Sequence, residues 1–480
     1  MADLTTHYAG ITSPNPFWLA SGPPSNSGYQ VMHAFEQGWG GAVWKTVGAP
    51  VMNVVNRYGG LDLGGTKLVG LNNIELISDR PMDTNLREIA EVKRRFPGHA
   101  VIVSLMVEST REAWREAVKR AEDTGCDGLE LNFGCPHGMS ERGMGAAVGQ
   151  VPEYACMITE WVKEVARTPV IVKLSPNVTN ILAPGRAGAQ GGADGLSLIN
   201  TINSIIGVDL DSFELRPSIA GKGGHGGYAG SAVKPIALHL VSQIANDPEC
   251  RGLPISGMGG ITTWRDAAEF LLLGATSLQV CTAAMHYGFR LIEDLCDGLS
   301  NWLDEKGIAS VGEIIGASLP RLTDFGELDL TYKTVARIDP DKCIQCNMCY
   351  IACEDGAHQC IDLLPAAAAA AVPALGARHG TGNSHAPAHT NGYHPGIAGQ
   401  GRRLNVLQPT VREADCVGCD LCSLVCPVTD CITMVPVESA ARRAGQGPIT
   451  WNTMVKELPQ PLDWPEFVQA IGPEHVGGHK

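Results

Sequence analysis

The chain has 480 residues, with 50 Asp and Glu against 36 Lys and Arg for a formal net charge of -14. That length allows two or three domains with separate cores, and the acidic balance argues against a nucleic-acid partner, which selects a cationic face. No run of about eighteen apolar residues occurs, so no membrane span is expected; the start MADLTTHYAG lacks the basic and apolar regions of a signal peptide.

In chain order, short apolar strands alternate with amphipathic helices across residues 16–306. The pattern predicts strands at 16–19, 42–45, 101–106, 128–132, 170–174, 195–198, 254–256 and 277–280. Helical patterns fall between them, as at 112–123, 152–166 and 263–272. Eight strands each followed by a helix, within about 290 residues, predict an α/β fold of the (β/α)8 barrel type over an open doubly wound sheet. Chemistry in such barrels sits at the C-terminal strand ends.

The polar residues at those ends are therefore the candidates. Lys45-Thr46 closes the second strand, Lys173 the fifth and Asn200-Thr201 the sixth. Two lysines ending apolar strands predict an anionic or electron-rich ligand, because a buried ammonium needs an anionic partner. The fourth strand runs into Phe133-Gly134-Cys135-Pro136, which sets the Cys135 thiol just past the strand among Gly and Pro. Such a thiol can transfer a proton or act as a nucleophile, and spacing alone does not separate the two. The last two strands end in Gly257-Met258-Gly259-Gly260 and Cys281-Thr282, the place where barrels bind phosphate through backbone N–H groups. One G-x-G-x-x-G, Gly221–Gly226, has no strand before it and no acidic residue at the right distance, so it reads as chance.

Residues 307–334 read as a connector, 335–440 as a second domain and 441–480 as a tail. The second domain carries Cys343, Cys346, Cys349, Cys353 and then Cys416, Cys419, Cys422, Cys426, two copies of C-x2-C-x2-C-x3-C. This is the spacing of a ferredoxin-like domain with two [4Fe–4S] clusters, in which the fourth cysteine of each copy serves the other cluster. The expected sets are Cys343, Cys346, Cys349 with Cys426, and Cys416, Cys419, Cys422 with Cys353. Structural zinc takes C-x2-C pairs set well apart, and disulfide scaffolds belong to short secreted chains. Cys360 and Cys431 are left over as small packing residues. With no export signal, sixteen cysteines point to reduced thiols in a cytoplasm. Between the motifs, residues 365–403 form a Gly/Pro- and His-rich insert that cannot bury a core. Clusters beside a phosphate-binding barrel point to a flavin, which links one-electron donors to hydride chemistry. FMN carries the single phosphate that the site expects.

These residues resemble a known family. The motifs are Asn73-Ile74-Glu75-Leu76-Ile77-Ser78, the stretch NFGCPHGMSERGMG from Asn132 to Gly145, Lys173 to Thr179 (KLSPNVT), Asn200-Thr201, Leu278-Gln279-Val280-Cys281 and both cysteine copies. Together they are similar to the pyrimidine-reducing half of the dihydropyrimidine dehydrogenase family, in particular to the separate catalytic subunit of its bacterial NAD-dependent members. The resemblance implies FMN held by Ser21, Lys45, Thr46, Lys173, Gly230, Gly259, Gly260, Cys281 and Thr282. It implies pyrimidine contacts from Asn73, Glu75, Asn132, Asn200 and Thr201, whose amides can match both donors and acceptors of uracil or thymine. Cys135 is then the general acid toward C5 of the ring. The family's FAD and nicotinamide half is missing from this chain, so an NADH-oxidising FAD and iron–sulfur partner subunit is expected, in a heterotetramer with a homodimeric core.

Three other functions compete. A dihydroorotate dehydrogenase shares barrel, FMN and cysteine, but Glu75 beside the ring would repel the orotate carboxylate. A tRNA dihydrouridine synthase would need a basic surface. An electron carrier without its own substrate would leave the polar strand ends unexplained.

Overall fold

The computed structural model describes residues 1–49, 53–135, 143–365 and 407–454. The chain divides into two compact units, Met1–Leu322 and Thr323–Lys480.

The first unit is a closed barrel of eight parallel strands. We label them β1 (Phe17–Leu19), β2 (Gly41–Gly48), β3 (Ala100–Met106), β4 (Gly128–Asn132), β5 (Val170–Lys173), β6 (Gly195–Leu198), β7 (Ile255–Met258) and β8 (Ala275–Val280). Each lies where the sequence predicts a strand. β2 and the Val/Ile-rich β3 are buried along their whole length, as parallel strands covered on both faces require. Phe17 of β1 pairs with Leu278 of β8 and closes the ring.

The connecting helices have local reasons to start and to bury one face. Thr110 caps Arg111–Glu122, which buries Trp114, Ala117, Val118 and Ala121 at helical spacing. Thr263 and Asp266 form a reciprocal capping box on Trp264–Leu272. A hairpin of Thr6–Tyr8 with Ile11–Ser13 packs at the N-terminal ends of the strands, where the Tyr8 hydroxyl donates to the Leu196 carbonyl at 2.9 Å. The opposite, C-terminal end is left for a site. There a four-stranded antiparallel sheet, Ile202–Ser204, Gly226–Ala229, Thr66–Asn73 and Tyr58–Leu63, joins the loops that follow β2 and β6. No strand was predicted in these segments, whose widest pairing, Ala229 with Leu71, spans 158 residues.

Residues 307–322, within the expected connector, pack on the barrel through Val311 and Ile314. In the second unit each cysteine motif lies between two strands. Lys333–Ile338 pairs antiparallel with Ile432–Val437, and Ile361–Pro365 with Leu407–Val411. The first strand of one half thus pairs with the last of the other, which interleaves the two copies. In both copies the residues flanking the middle cysteine are left-handed: Gln345 and Asn347, then Gly418 and Asp420. Most of the insert predicted at 365–403, and the tail beyond Met454, lie outside the described residues.

Candidate active site and cluster cavities

At the C-terminal mouth of the barrel lies a cavity of about 280 Å³. It gathers every barrel residue singled out above: Ser21, Lys45, Thr46, Asn73, Glu75, Asn132, Cys135, Lys173, Asn200, Thr201, Gly230, Gly259, Gly260, Cys281 and Thr282. A strand alternates its faces, so the neighbours Lys45 and Thr46 should not both line one cavity. They do because β2 carries a bulge: Trp44 pairs with Val103 and Val47 with Leu105, so two residues oppose one.

Both strand-end lysines have carboxylate partners inside the chain. Lys45 Nζ lies 2.6 Å from Glu75 Oε1, and both side chains are less than a tenth exposed. Arg57 Nη1 reaches the same oxygen at 3.1 Å, and the Tyr58 hydroxyl donates to Glu75 Oε2 at 3.0 Å. Burial and then the Glu75 charge push the Tyr58 phenol well above its usual range. Lys173 Nζ lies 3.6 Å from Glu130 Oε1, a fully buried carboxylate. Glu130 also accepts from Ser104 at 3.2 Å, Ser197 at 2.9 Å and Gln279 Nε2 at 3.4 Å. The third lining lysine, Lys67, pairs with Asp62 at 2.6 Å.

A hydrogen-bonded row crosses the floor. Ser21 Oγ and Ser104 Oγ lie 3.1 and 2.9 Å from Thr46 Oγ1, and Asn132 Nδ2 donates to it at 2.9 Å. Asn200 Nδ2 donates to Asn132 Oδ1 at 3.0 Å. Each of these amide nitrogens has a second N–H for a ligand. Asn73 is held by the antiparallel sheet, donating to the Gly227 carbonyl at 3.0 Å. Cys135 is 8% exposed, with Sγ 4.0 Å from the Leu76 carbonyl and packed with Ile77, Met106 and Met144. Its loop at 136–142 is outside the described residues. Burial pushes the Cys281 thiol up to about 12, so it stays protonated near neutrality.

Two features fit the expected flavin. Gln279 Oε1 is buried with no hydrogen-bond partner among the described residues, and Gln279 lines the cavity. Gly259 and Gly260 after β7 have φ of +122° and +83°, and a Cβ on Gly260 would meet the Gly230 carbonyl at 3.0 Å. Only glycine adopts this backbone cheaply, and it leaves a side-chain-free wall suited to a phosphate. The Gly221–Gly226 run leads into the strand Gly226–Ala229 rather than a helix, so it forms no dinucleotide-binding turn.

Sequence reasoning gave no role to Glu130, Gln279, Arg57 or Tyr58, although Gln279 stands in the motif Leu278–Cys281. A signal existed for the first two: a carboxylate and an amide inside apolar strands are costly unless paired.

In the second unit the cysteines surround two small cavities. One is lined by Cys343, Cys346, Cys349 and Cys426, the other by Cys353, Cys416, Cys419 and Cys422. Cys431 lines the first and Cys360 the second. Among the described residues no group of three or more His, Cys, Asp or Glu converges on a single ion position.

A family model described as dihydroorotate dehydrogenase matches residues 3–303, and one described as a 4Fe–4S binding domain matches 336–357. The chain belongs to the dihydroorotate dehydrogenase family. It is an oxidoreductase of that family with an iron–sulfur domain appended. It is 40% identical over 361 residues to the NAD-dependent dihydropyrimidine dehydrogenase subunit PreA of Escherichia coli K12, covering 75% of this chain and 87% of that one. It is 40% identical to the chloroplastic dihydropyrimidine dehydrogenase (NADP(+)) of Arabidopsis thaliana, over 68% of this chain and 79% of that one. The catalytic subunit of dihydroorotate dehydrogenase B (NAD(+)) from Pyrococcus abyssi is 38% identical over 316 residues, 66% of this chain and 99% of that one. Among the described residues no helix is long and apolar enough to cross a membrane.

Proposed function

We propose that the chain interconverts uracil or thymine and their 5,6-dihydro forms, as the catalytic subunit of an NAD-linked dihydropyrimidine dehydrogenase. The observation that carries this reading is the convergence of Cys135 with the amides of Asn73, Asn132 and Asn200 beside a glycine-walled phosphate site. The match to the Escherichia coli subunit, at 361 residues, also outruns the barrel match of 3–303, whereas the Pyrococcus protein is used up by 316.

FMN would be held by Ser21, Lys45, Thr46, Lys173, Gly230, Gly259, Gly260, Cys281 and Thr282, and when bound it supplies hydride exchange between its N5 and C6 of the ring. Asn132 and Asn200 offer their second N–H groups to the ring carbonyls, with Asn73 and Thr201 completing the contacts. Glu75, neutralised by Lys45 and Arg57, holds Lys45 in place. Cys135 gives a proton to C5 in reduction and removes it in oxidation. The low exposure of the cavity floor keeps water from competing for that proton.

Two [4Fe–4S] clusters would be held by Cys343, Cys346, Cys349, Cys426 and by Cys416, Cys419, Cys422, Cys353, and they relay single electrons. A separate NADH-oxidising flavoprotein subunit would supply those electrons, in a heterotetramer on a homodimeric core. A cytoplasmic location suits so many reduced thiols. Orotate is disfavoured because, among the described residues, each lysine lining the cavity already has a carboxylate partner, so no free ammonium there faces its extra charge.

Anaerobic addition of dihydrouracil to the purified protein should bleach bound flavin, and dihydroorotate should not. Bleaching by dihydroorotate alone would reject the pyrimidine reading. Cys135→Ala should keep flavin and iron yet lose about 100-fold or more in turnover; near-normal dihydrouracil oxidation would remove Cys135 from the chemistry.

A further inference from the structure

Each cluster cavity holds a fifth cysteine that the ligand motif does not use. Each lies beside two ligand cysteines of its own cavity, Cys431 by Cys426 and Cys343 and Cys360 by Cys353 and Cys416. Cys431, 2% exposed, donates to the Asp339 carbonyl at 3.8 Å. Cys360, 5% exposed, has its Sγ 3.5 Å from Cys353 Sγ, and its backbone N–H donates to the same sulfur at 3.3 Å. A cluster ligand binds as thiolate and has no proton to give. With Cys353 ligating, the proton between the two sulfurs must therefore sit on Cys360.

We propose that Cys360 is a positioning residue for one of the two clusters: its S–H donates to the Cys353 thiolate and makes that cluster easier to reduce. The inference rests on the two-cluster reading above. Reduction adds negative charge to the cluster and its thiolates. A donor aimed at a ligating sulfur stabilises that charge, and hydrogen bonds to the sulfurs are one of the controls on cluster potential. The site is buried, so the dipole acts with little solvent screening. In the other cavity Cys431 stands beside the sulfurs of Cys426 and Cys343 and also reaches the Asp339 carbonyl, so its thiol is shared between sulfur and carbonyl acceptors.

The test uses the full-length protein, prepared without oxygen, with EPR-monitored redox titration and iron analysis. In Cys360→Ala the backbone donor stays and only the S–H is lost. The expected result is unchanged iron content, a negative shift of one cluster's midpoint, and an unmoved second cluster. Cys360→Ser, which restores a donor, should return the midpoint toward that of the unmodified protein. Should the alanine variant not fold, Cys360→Val fills the same volume without a donor and gives the same reading. Unmoved midpoints in the donor-free variant would overturn the proposal. So would loss of one cluster's iron, which would make Cys360 the ligand. Iron for fewer than two cubanes in the unmodified protein would instead reject the two-cluster reading itself.

Discussion

Glu130 is fully buried at the centre of the barrel, and Lys173 is its only cationic partner among the described contacts. Removing one member of a buried pair strands the other, at a cost of about 3–5 kcal/mol. Glu130→Gln should therefore lower the unfolding free energy from urea titration by about 3–5 kcal/mol and weaken flavin binding, because Lys173 loses its anchor. An unchanged midpoint would show that the serines around Glu130 can satisfy Lys173 alone. Glu75 belongs to the same scale. Its carboxylate holds Lys45, Arg57 and Tyr58 together, so the charge that the sequence offers as a repellent to orotate is largely spent within the chain. Cys281, with its thiol pushed up by burial to about 12, should resist iodoacetamide at pH 8 in the folded protein, which peptide mass spectrometry can check.

Helix Trp264–Leu272 links local structure to the site. Asp266 caps it, accepts from the Thr262 and Thr263 amides and pairs with Lys234 at 2.7 Å, so it braces the loop that follows Gly259-Gly260. Burial alone would raise the Asp266 carboxyl, but the Lys234 hydrogen bond and the two amides outweigh it and hold the group below its ordinary value. A carboxyl depressed in the fold stabilises above its unfolded pKa and loses that contribution as pH falls through the folded one. Asp266→Asn should thus cost about 1–2 kcal/mol at pH 7, with the difference from the unmodified protein shrinking as pH falls below about 3.9. Urea titrations at several pH values measure both. In the same loop, Gly260→Ala places a Cβ 2.8 Å from Lys234 Cβ at a φ of +83°. It should weaken flavin affinity, read by fluorescence titration, and destabilise the barrel by about 1–3 kcal/mol.

At the scale of the molecule, the two units have separate cores. The barrel core is aliphatic and aromatic, whereas cysteines form the majority of the buried residues in the second. A core built around metal-binding thiols depends on the metal for its stability. Iron removal by a chelator under reducing conditions should lower one calorimetric transition and leave the barrel's in place; a joint shift of both would show that the units unfold together. The eight barrel strands and the two cysteine copies could be read from local sequence, because apolar runs, helical periodicity and C-x2-C spacing are properties of neighbouring residues. The antiparallel sheet over the mouth, the bulge that turns both Lys45 and Thr46 into the cavity, and the pairing of Lys45 with Glu75 and Lys173 with Glu130 emerge only in the folded chain. Those depend on pairings between residues far apart along the chain, and a residue's partner across a closed barrel leaves no trace in its local pattern.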